Sequence, residues 1–143
     1  MAQPSEMTAL VPVDPRRQTL LKIREGLVGL HGALIVAEQL TYEGVNGPVE
    51  SVDTLLDLLQ YNPWFTWLHP VSDVLVRLDY LLEDQTQEIS DENVEHLLTE
   101  VNYLLHPTVE GDGFNRAYYE ALQRAPDVVL AHFRVKRLLP QAA

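Results

Sequence analysis

A long apolar pattern of helical period occupies residues 16 to 42. Its apolar residues recur every three or four positions, at Leu20, Ile23, Leu27, Leu30, Leu34 and Ala37. That spacing places them on one face of an α-helix. The uncharged run from Gly26 to Ala37 is shorter than the roughly 20 residues that a membrane span needs. The pattern therefore predicts a long helix at the centre of a soluble domain.

Further helical patterns follow, and strong turn signals separate them. The signals are Asn46-Gly47-Pro48, Asn62-Pro63, His106-Pro107 and Ala125-Pro126. Pro70 lies inside the third pattern, where a proline predicts a kink or a restart. Runs with the period of a strand are not convincing. We therefore expect an all-α helical bundle of about four main helices plus one or two short ones, with the apolar first helix at its centre. Residues 1–14 are expected to form an irregular arm, 15–139 a single domain and 140–143 a tail.

Composition and charge narrow the classes of function. The 143 residues include no cysteine, which excludes disulfides, thiolate metal sites and cysteine nucleophiles. The N-terminus lacks the basic and apolar regions of a secretory signal, so we expect a cytoplasmic protein. The net charge is −11, and residues 38–112 contain 16 acidic residues against Arg77 alone. This balance favours a solvated acidic surface and argues against binding to nucleic acid.

Polar residues recur along the first predicted helix at seven-residue steps. Arg24, His31 and Glu38 fall along the middle of its apolar face, so they should pair with other groups or line a cavity. His132 lies on the apolar face of the last helix and would come near them if the two helices are antiparallel. The sequence leaves two alternatives open: a polar seam that fixes helix register, or a small-molecule or ion site formed by Arg24, His31, Glu38 and His132.

Small residues form a stripe on the other side of the same helix: Gly26, Gly29, Gly32 and Ala33. Glycine inside a helix costs about 0.5–1 kcal/mol relative to alanine, so this stripe needs a packing reason. We expect a second helix to approach it closely, either within the chain or in a homodimer. Either case would bury the first helix on all sides.

Signatures of catalysis and metal binding are missing from the sequence. None of the five histidines has an acidic residue three positions before it, as carboxylate-bridged di-iron bundles require. Glycine-rich phosphate loops and a nucleophile elbow are also absent. Asp112, in an acidic loop, is better explained as a helix N-cap than as a calcium ligand. We therefore predict no catalytic residue, no metal site and no cofactor.

Trp64 to Ser72, with the sequence WFTWLHPVS, resembles a segment of small helical bacterial proteins without assigned function. The resemblance covers about one helix and implies no activity. Trp64 and Trp67, three positions apart, would pack in the core if buried, and would form a recognition surface if exposed.

The sequence as a whole favours a non-catalytic helical scaffold or protein-interaction module. We expect a homodimer or an unidentified protein partner, and neither nucleic acid nor a membrane. The alternative is a small-molecule or ion-binding bundle, possibly an enzyme, that uses the four-residue site.

Overall fold

A computed structural model of the protein describes residues 14–86 and 88–140. These residues form seven helices and no strand: α1 (Pro15–Asn46), α2 (Val52–Tyr61), α3 (Pro63–Thr66), α4 (His69–Glu83), α5 (Asp91–Leu104), α6 (Phe114–Arg124) and α7 (Pro126–Leu138). The predicted all-α bundle is confirmed. Its longest helices are α1, α4, α5 and α7. The predicted N-terminal arm and C-terminal tail lie outside the described residues, apart from their innermost positions.

Local sequence signals set most of the helix starts. The side chains of Asp14, Asn62 and Ser90 each accept a hydrogen bond from a backbone N–H in the first turn of the helix that follows. A cap of this kind satisfies one of the free N–H groups at a helix N-terminus. α1 ends before Gly47, whose φ of +86° suits a residue without a Cβ.

Prolines divide the helices where the sequence predicts. Pro70 lies in the first turn of α4, so the chain restarts there after the single turn of α3. Pro126 likewise opens α7 directly after α6. The expectation for Asp112 was wrong, because Gly113 is the N-cap of α6 and no side chain caps that helix. The chain therefore enters α6 one residue later than a cap at Asp112 would require.

α1 is the central element of the core. It packs against α3, α4, α5, α6 and α7, most extensively against α7 and then α4. All six apolar positions that the sequence assigned to its inner face are buried. Gly26 lies beside Val135 of α7, whereas Glu38 pairs with Arg124 just before α7 begins. α1 and α7 are therefore antiparallel neighbours.

One side of α1 remains open to solvent, which corrects the expectation that this helix is buried all round. Val28, Val36 and Leu40 expose 46%, 56% and 66% of their surface. Gly29 and Gly32 lie between them and are also exposed. We call these five residues the outer face of α1. Among the described helices, none combines the length and apolar character that a bilayer crossing requires.

Candidate functional site

The four residues predicted to form one ligand site have separate partners. Arg24 forms an ion pair with Asp79 of α4 at the surface. His31 is half-buried and has no side-chain hydrogen-bond partner in the part of the chain that the structure describes. Glu38 and His132 are both buried, but each pairs with a residue of α6. The structure therefore does not bring the four side chains together around one cavity.

Helix geometry explains why Arg24, His31 and Glu38 differ in burial. Seven residues of a straight helix turn about 20° short of two full revolutions, so a row with this spacing drifts around the helix. Arg24 lies at the edge beside α4, His31 is half-buried, and Glu38 is only 5% exposed. Burial of the row therefore increases from Arg24 to Glu38. Only its last member meets the expectation of a buried charge.

His132 belongs to a buried aromatic row. Its Nδ1 is 2.6 Å from the hydroxyl oxygen of Tyr118, and Tyr118 stacks on Phe114, which contacts Trp67 in turn. Burial, together with the charge of Lys136, lowers the pKa of His132. Burial also raises the pKa of the Tyr118 phenol. Both side chains are therefore held in their neutral forms.

Glu38 is the one buried carboxylate of the described core. It forms an ion pair with Arg124, whose side chain is 37% exposed. Burial raises the pKa of Glu38, while the charge of Arg124 and hydrogen bonding from the indoles of Trp67 and Trp64 partly offset that rise. The negative charge of Glu120 adds to the rise. Carboxylates in such surroundings are common at functional sites.

A cleft of about 390 Å³ opens onto this carboxylate. Its polar and aromatic walls come from α1, α3, the turn after α3, and α6, and they are Glu38, Thr41, Trp64, Trp67, Glu120 and Arg124. The Trp64 indole donates a hydrogen bond to the Thr41 hydroxyl over 3.3 Å. This volume falls within the usual range of small-molecule pockets. The cleft is a candidate ligand site because it gives access to the buried carboxylate of Glu38.

Sequence reasoning identified Glu38 but missed the residues around it. Trp64 and Trp67 carried a signal, because the sequence left open whether they are core or a recognition surface. They are half-buried and line the cleft. Arg124 carried no such signal, since it lies 86 positions from Glu38 and only the antiparallel packing of the helices brings the two together.

The small-residue stripe runs beside α7 and along the outer face of α1. A Cβ added to Gly26 would lie 3.1 Å from Val135 Cγ2, so packing against α7 accounts for this glycine. A Cβ added to Gly29 or Gly32 would meet nothing within 4 Å. Ala33 is half-buried beside the start of α7. Intramolecular packing thus explains one glycine of the stripe and leaves two without a reason.

Two surface grooves flank this stripe where α1 and α7 run side by side. One groove, of about 350 Å³, contains Gly32, Val36 and Leu40 together with one cation and one anion, Arg124 and Asp127. The other, of about 490 Å³, contains Gly29, the cations Lys22, Arg134 and Arg137, and Glu25. Cations therefore outnumber anions in the second groove, whereas the charges of the first groove balance.

Grouped metal ligands do not occur in the described residues: no three histidine or acidic side chains lie close enough to hold an ion together. Comparison of the chain with protein-family models, with curated proteins and with solved structures found no match. The cleft and the outer face of α1 are therefore the two candidate contact sites of the described chain.

Proposed function

We propose that this protein is a non-catalytic helical interaction module that works as a homodimer, with the outer face of α1 as the contact between the two copies. The observation that carries the proposal is the solvent exposure of an apolar, glycine-containing face on the central helix. Large exposed apolar faces in soluble proteins usually mark contact surfaces.

Charge distribution selects the outer face of α1 over other exposed apolar residues. Residues 26–42 contain one formally charged side chain, Glu38, and it is buried. About 24 Å of helix therefore presents no formal charge to solvent. By contrast, α2 exposes Val52 and Leu56 next to Asp53 and Asp57.

The overall negative charge of the chain limits where a second copy could bind. Two molecules that each carry a charge of −11 repel one another, so they can associate only where the surface is least acidic. The face formed by α1 and α7 meets that condition, because three exposed cations, Lys22, Arg134 and Arg137, outnumber the exposed Glu25 in its larger groove. Gly29 and Gly32 would let two helix backbones approach closely at the centre of such a contact.

Sedimentation of the full chain with one charge introduced at the interface tests this proposal. We expect the wild-type protein to sediment as a dimer of 16.2 kDa chains. Val36→Glu should weaken the association at least about tenfold, because each dimer would then bury two unpaired carboxylates. Val36 is 56% exposed, so the fold of the single chain should tolerate the change.

A matched control is available on another helix. Val76 of α4 is 65% exposed and lies outside the outer face of α1, so Val76→Glu introduces the same charge without touching the proposed contact. Dimerisation should survive this change. A wild-type protein that sediments as a single chain at all concentrations, or a Val76→Glu variant that dissociates as readily as Val36→Glu, would refute the proposal.

The proposal also includes two expectations from the sequence, a cytoplasmic location and no binding to nucleic acid. A cytoplasmic location fits the cysteine-free composition, and the acidic surface is unsuited to nucleic acid. The alternative hypothesis, a ligand-binding bundle, now rests on the cleft over Glu38, which contains only one of the four residues first predicted to form the site.

A further inference from the structure

We infer that the cleft over Glu38 binds a small organic ammonium compound, whose cationic group pairs with the Glu38 carboxylate while its apolar part packs against Trp64 and Trp67. This inference does not require the dimer, although Arg124 lines both the cleft and the groove that contains Val36 and Leu40. Glu38 points into the bundle, whereas Val36 lies on the outer face of the same helix.

The carboxylate supplies the polar anchor of the proposed site. Glu38 lines the cleft although only 5% of its surface is exposed. Its ion pair involves a single nitrogen of Arg124, and a carboxylate can accept about four hydrogen bonds, so capacity remains for a ligand even with the two indoles nearby. Arg124 is partly exposed, so its guanidinium can move into solvent when another cation takes its place.

Two tryptophans supply the apolar walls. Trp64 and Trp67 are both half-buried and line the cleft, with Trp64 held edge-on against Tyr42 at 5.5 Å between ring centroids. Tryptophan faces attract cations more strongly than other aromatic rings do. A flat or aliphatic body carrying one ammonium group therefore matches these walls better than an anion or a sugar.

Charge around the cleft favours a cation. Glu38 and Glu120 outnumber Arg124 among the charged side chains that line it, and Arg116, which is not in the lining, pairs with Glu120. The acidic segment of the sequence, residues 38–112, begins at Glu38 itself. An approaching anion would meet net repulsion from both sources, and an approaching cation would meet attraction.

Intrinsic fluorescence measures binding at this site without a label. The chain contains only two tryptophans, and both line the cleft, so tryptophan emission reports on this cleft alone. Benzylammonium is the probe, and benzyl alcohol is its uncharged analogue. We expect a saturable change in emission with a Kd of about 1 mM for benzylammonium, and binding at least about tenfold weaker for benzyl alcohol.

Substitutions on the two sides of the ion pair should act in opposite directions. Glu38→Gln keeps the shape of the side chain but removes its charge, so benzylammonium should bind at least about tenfold more weakly. Arg124→Gln removes the competing cation, so benzylammonium should bind more tightly than it does to the wild type when binding is measured at mildly alkaline pH, where the Glu38 carboxyl stays ionised without Arg124. Glu95→Gln, an exposed change of the same type on α5, should leave the Kd unchanged.

The response to Arg124→Gln separates a ligand site from a purely structural ion pair. Arg124 lies at the exposed end of α6, so this variant should fold even if Glu38→Gln does not. Unchanged or weaker binding of benzylammonium by Arg124→Gln would overturn the inference. An equal affinity for benzyl alcohol and benzylammonium, or no saturable signal up to about 10 mM, would overturn it as well.

Discussion

Burial has opposite effects on two buried ionisable side chains, Glu38 and His132. It raises the pKa of the carboxyl and lowers the pKa of the imidazole, because a low-dielectric environment disfavours whichever form is charged. Glu38 still has a cation beside it, whereas His132 has a phenol. The Glu38 carboxylate is therefore suited to binding a charged partner, whereas the neutral His132 imidazole is suited to packing in the core.

The lowered pKa of His132 predicts a loss of stability in mild acid. The unfolded chain titrates this imidazole near 6.5, and the folded chain does so at a lower pH. Below about 6.5 the unfolded state therefore binds more protons, and the free energy of unfolding falls as the pH falls. Urea unfolding at pH 7.5 and 5.5 should show a smaller pH-dependent loss for His132→Phe than for the wild type.

His31 remains in both proteins of this comparison, so the difference between them isolates His132. The variant also leaves the Tyr118 hydroxyl without its partner, but that cost applies at both pH values and cancels. An equal loss of stability in the two proteins would mean that the imidazole of His132 titrates normally in the fold.

At the scale of the helix, α1 has two sides with different chemistry. Its inner side carries the apolar row and Glu38, and its outer face carries exposed valine, leucine and glycine. The sequence predicted the inner row well, because its period depends only on local helix geometry. The openness of the outer side could not be predicted, since it depends on how many neighbours the remaining helices supply.

Alanine substitutions along the glycine stripe should distinguish internal from external packing. In a Val36→Glu background, Gly29→Ala and Gly32→Ala should each raise the free energy of unfolding by about 0.5–1 kcal/mol, since the new methyl group meets nothing. Gly26→Ala should gain less or lose stability, because Val135 Cγ2 lies 3.1 Å from its Cβ position. Thermal or urea unfolding measures all three.

The same glycine variants in the wild-type background should behave differently. We expect Gly29→Ala and Gly32→Ala to weaken the dimer while stabilising the single chain, because an added methyl group separates the two backbones. Gly44→Ala, near the end of α1 and also free of contacts, serves as the control that should stabilise the chain without altering association. Dimers of undiminished affinity in both stripe variants would place the contact elsewhere.

At the scale of the whole molecule, charge is the dominant feature. Repulsion between two chains of charge −11 opposes a contact that is itself mainly uncharged. Raising the salt concentration from about 0.1 to 1 M shortens the screening length from about 10 to 3 Å, so the proposed dimer should become tighter. Sedimentation at the two salt concentrations measures the change.

A dimer that weakens with salt would contradict this picture of the interface. That result would mean that opposite charges hold the two copies together, and it would direct attention to the cations Lys22, Arg134 and Arg137 rather than to Val36. Val76→Glu provides the reference, because an extra surface charge away from the contact should preserve the direction of the salt effect.

A structural feature can be predicted from the sequence when the residues that determine it are close together along the chain. The turn signals at Asn62-Pro63 and Ala125-Pro126 are local, and each predicted break between helices is present, although the N-cap predicted at Asp112 was wrong. The partners of Arg24 and Glu38 lie 55 and 86 positions away. No local pattern encodes such pairs, and the candidate site changed accordingly from four residues on the first and last helices to a cleft between α1, α3 and α6.

The antiparallel pairing of α1 and α7 has a consequence for how the protein is made. During synthesis α1 emerges well before α7, the helix against which it packs most extensively. Until α7 has been synthesised, the apolar row of α1 stays partly exposed to solvent. Contacts between segments this distant in sequence also form slowly. Closure of the fold therefore awaits the residues after Ala125, which makes this the interval in which the chain most needs protection from aggregation.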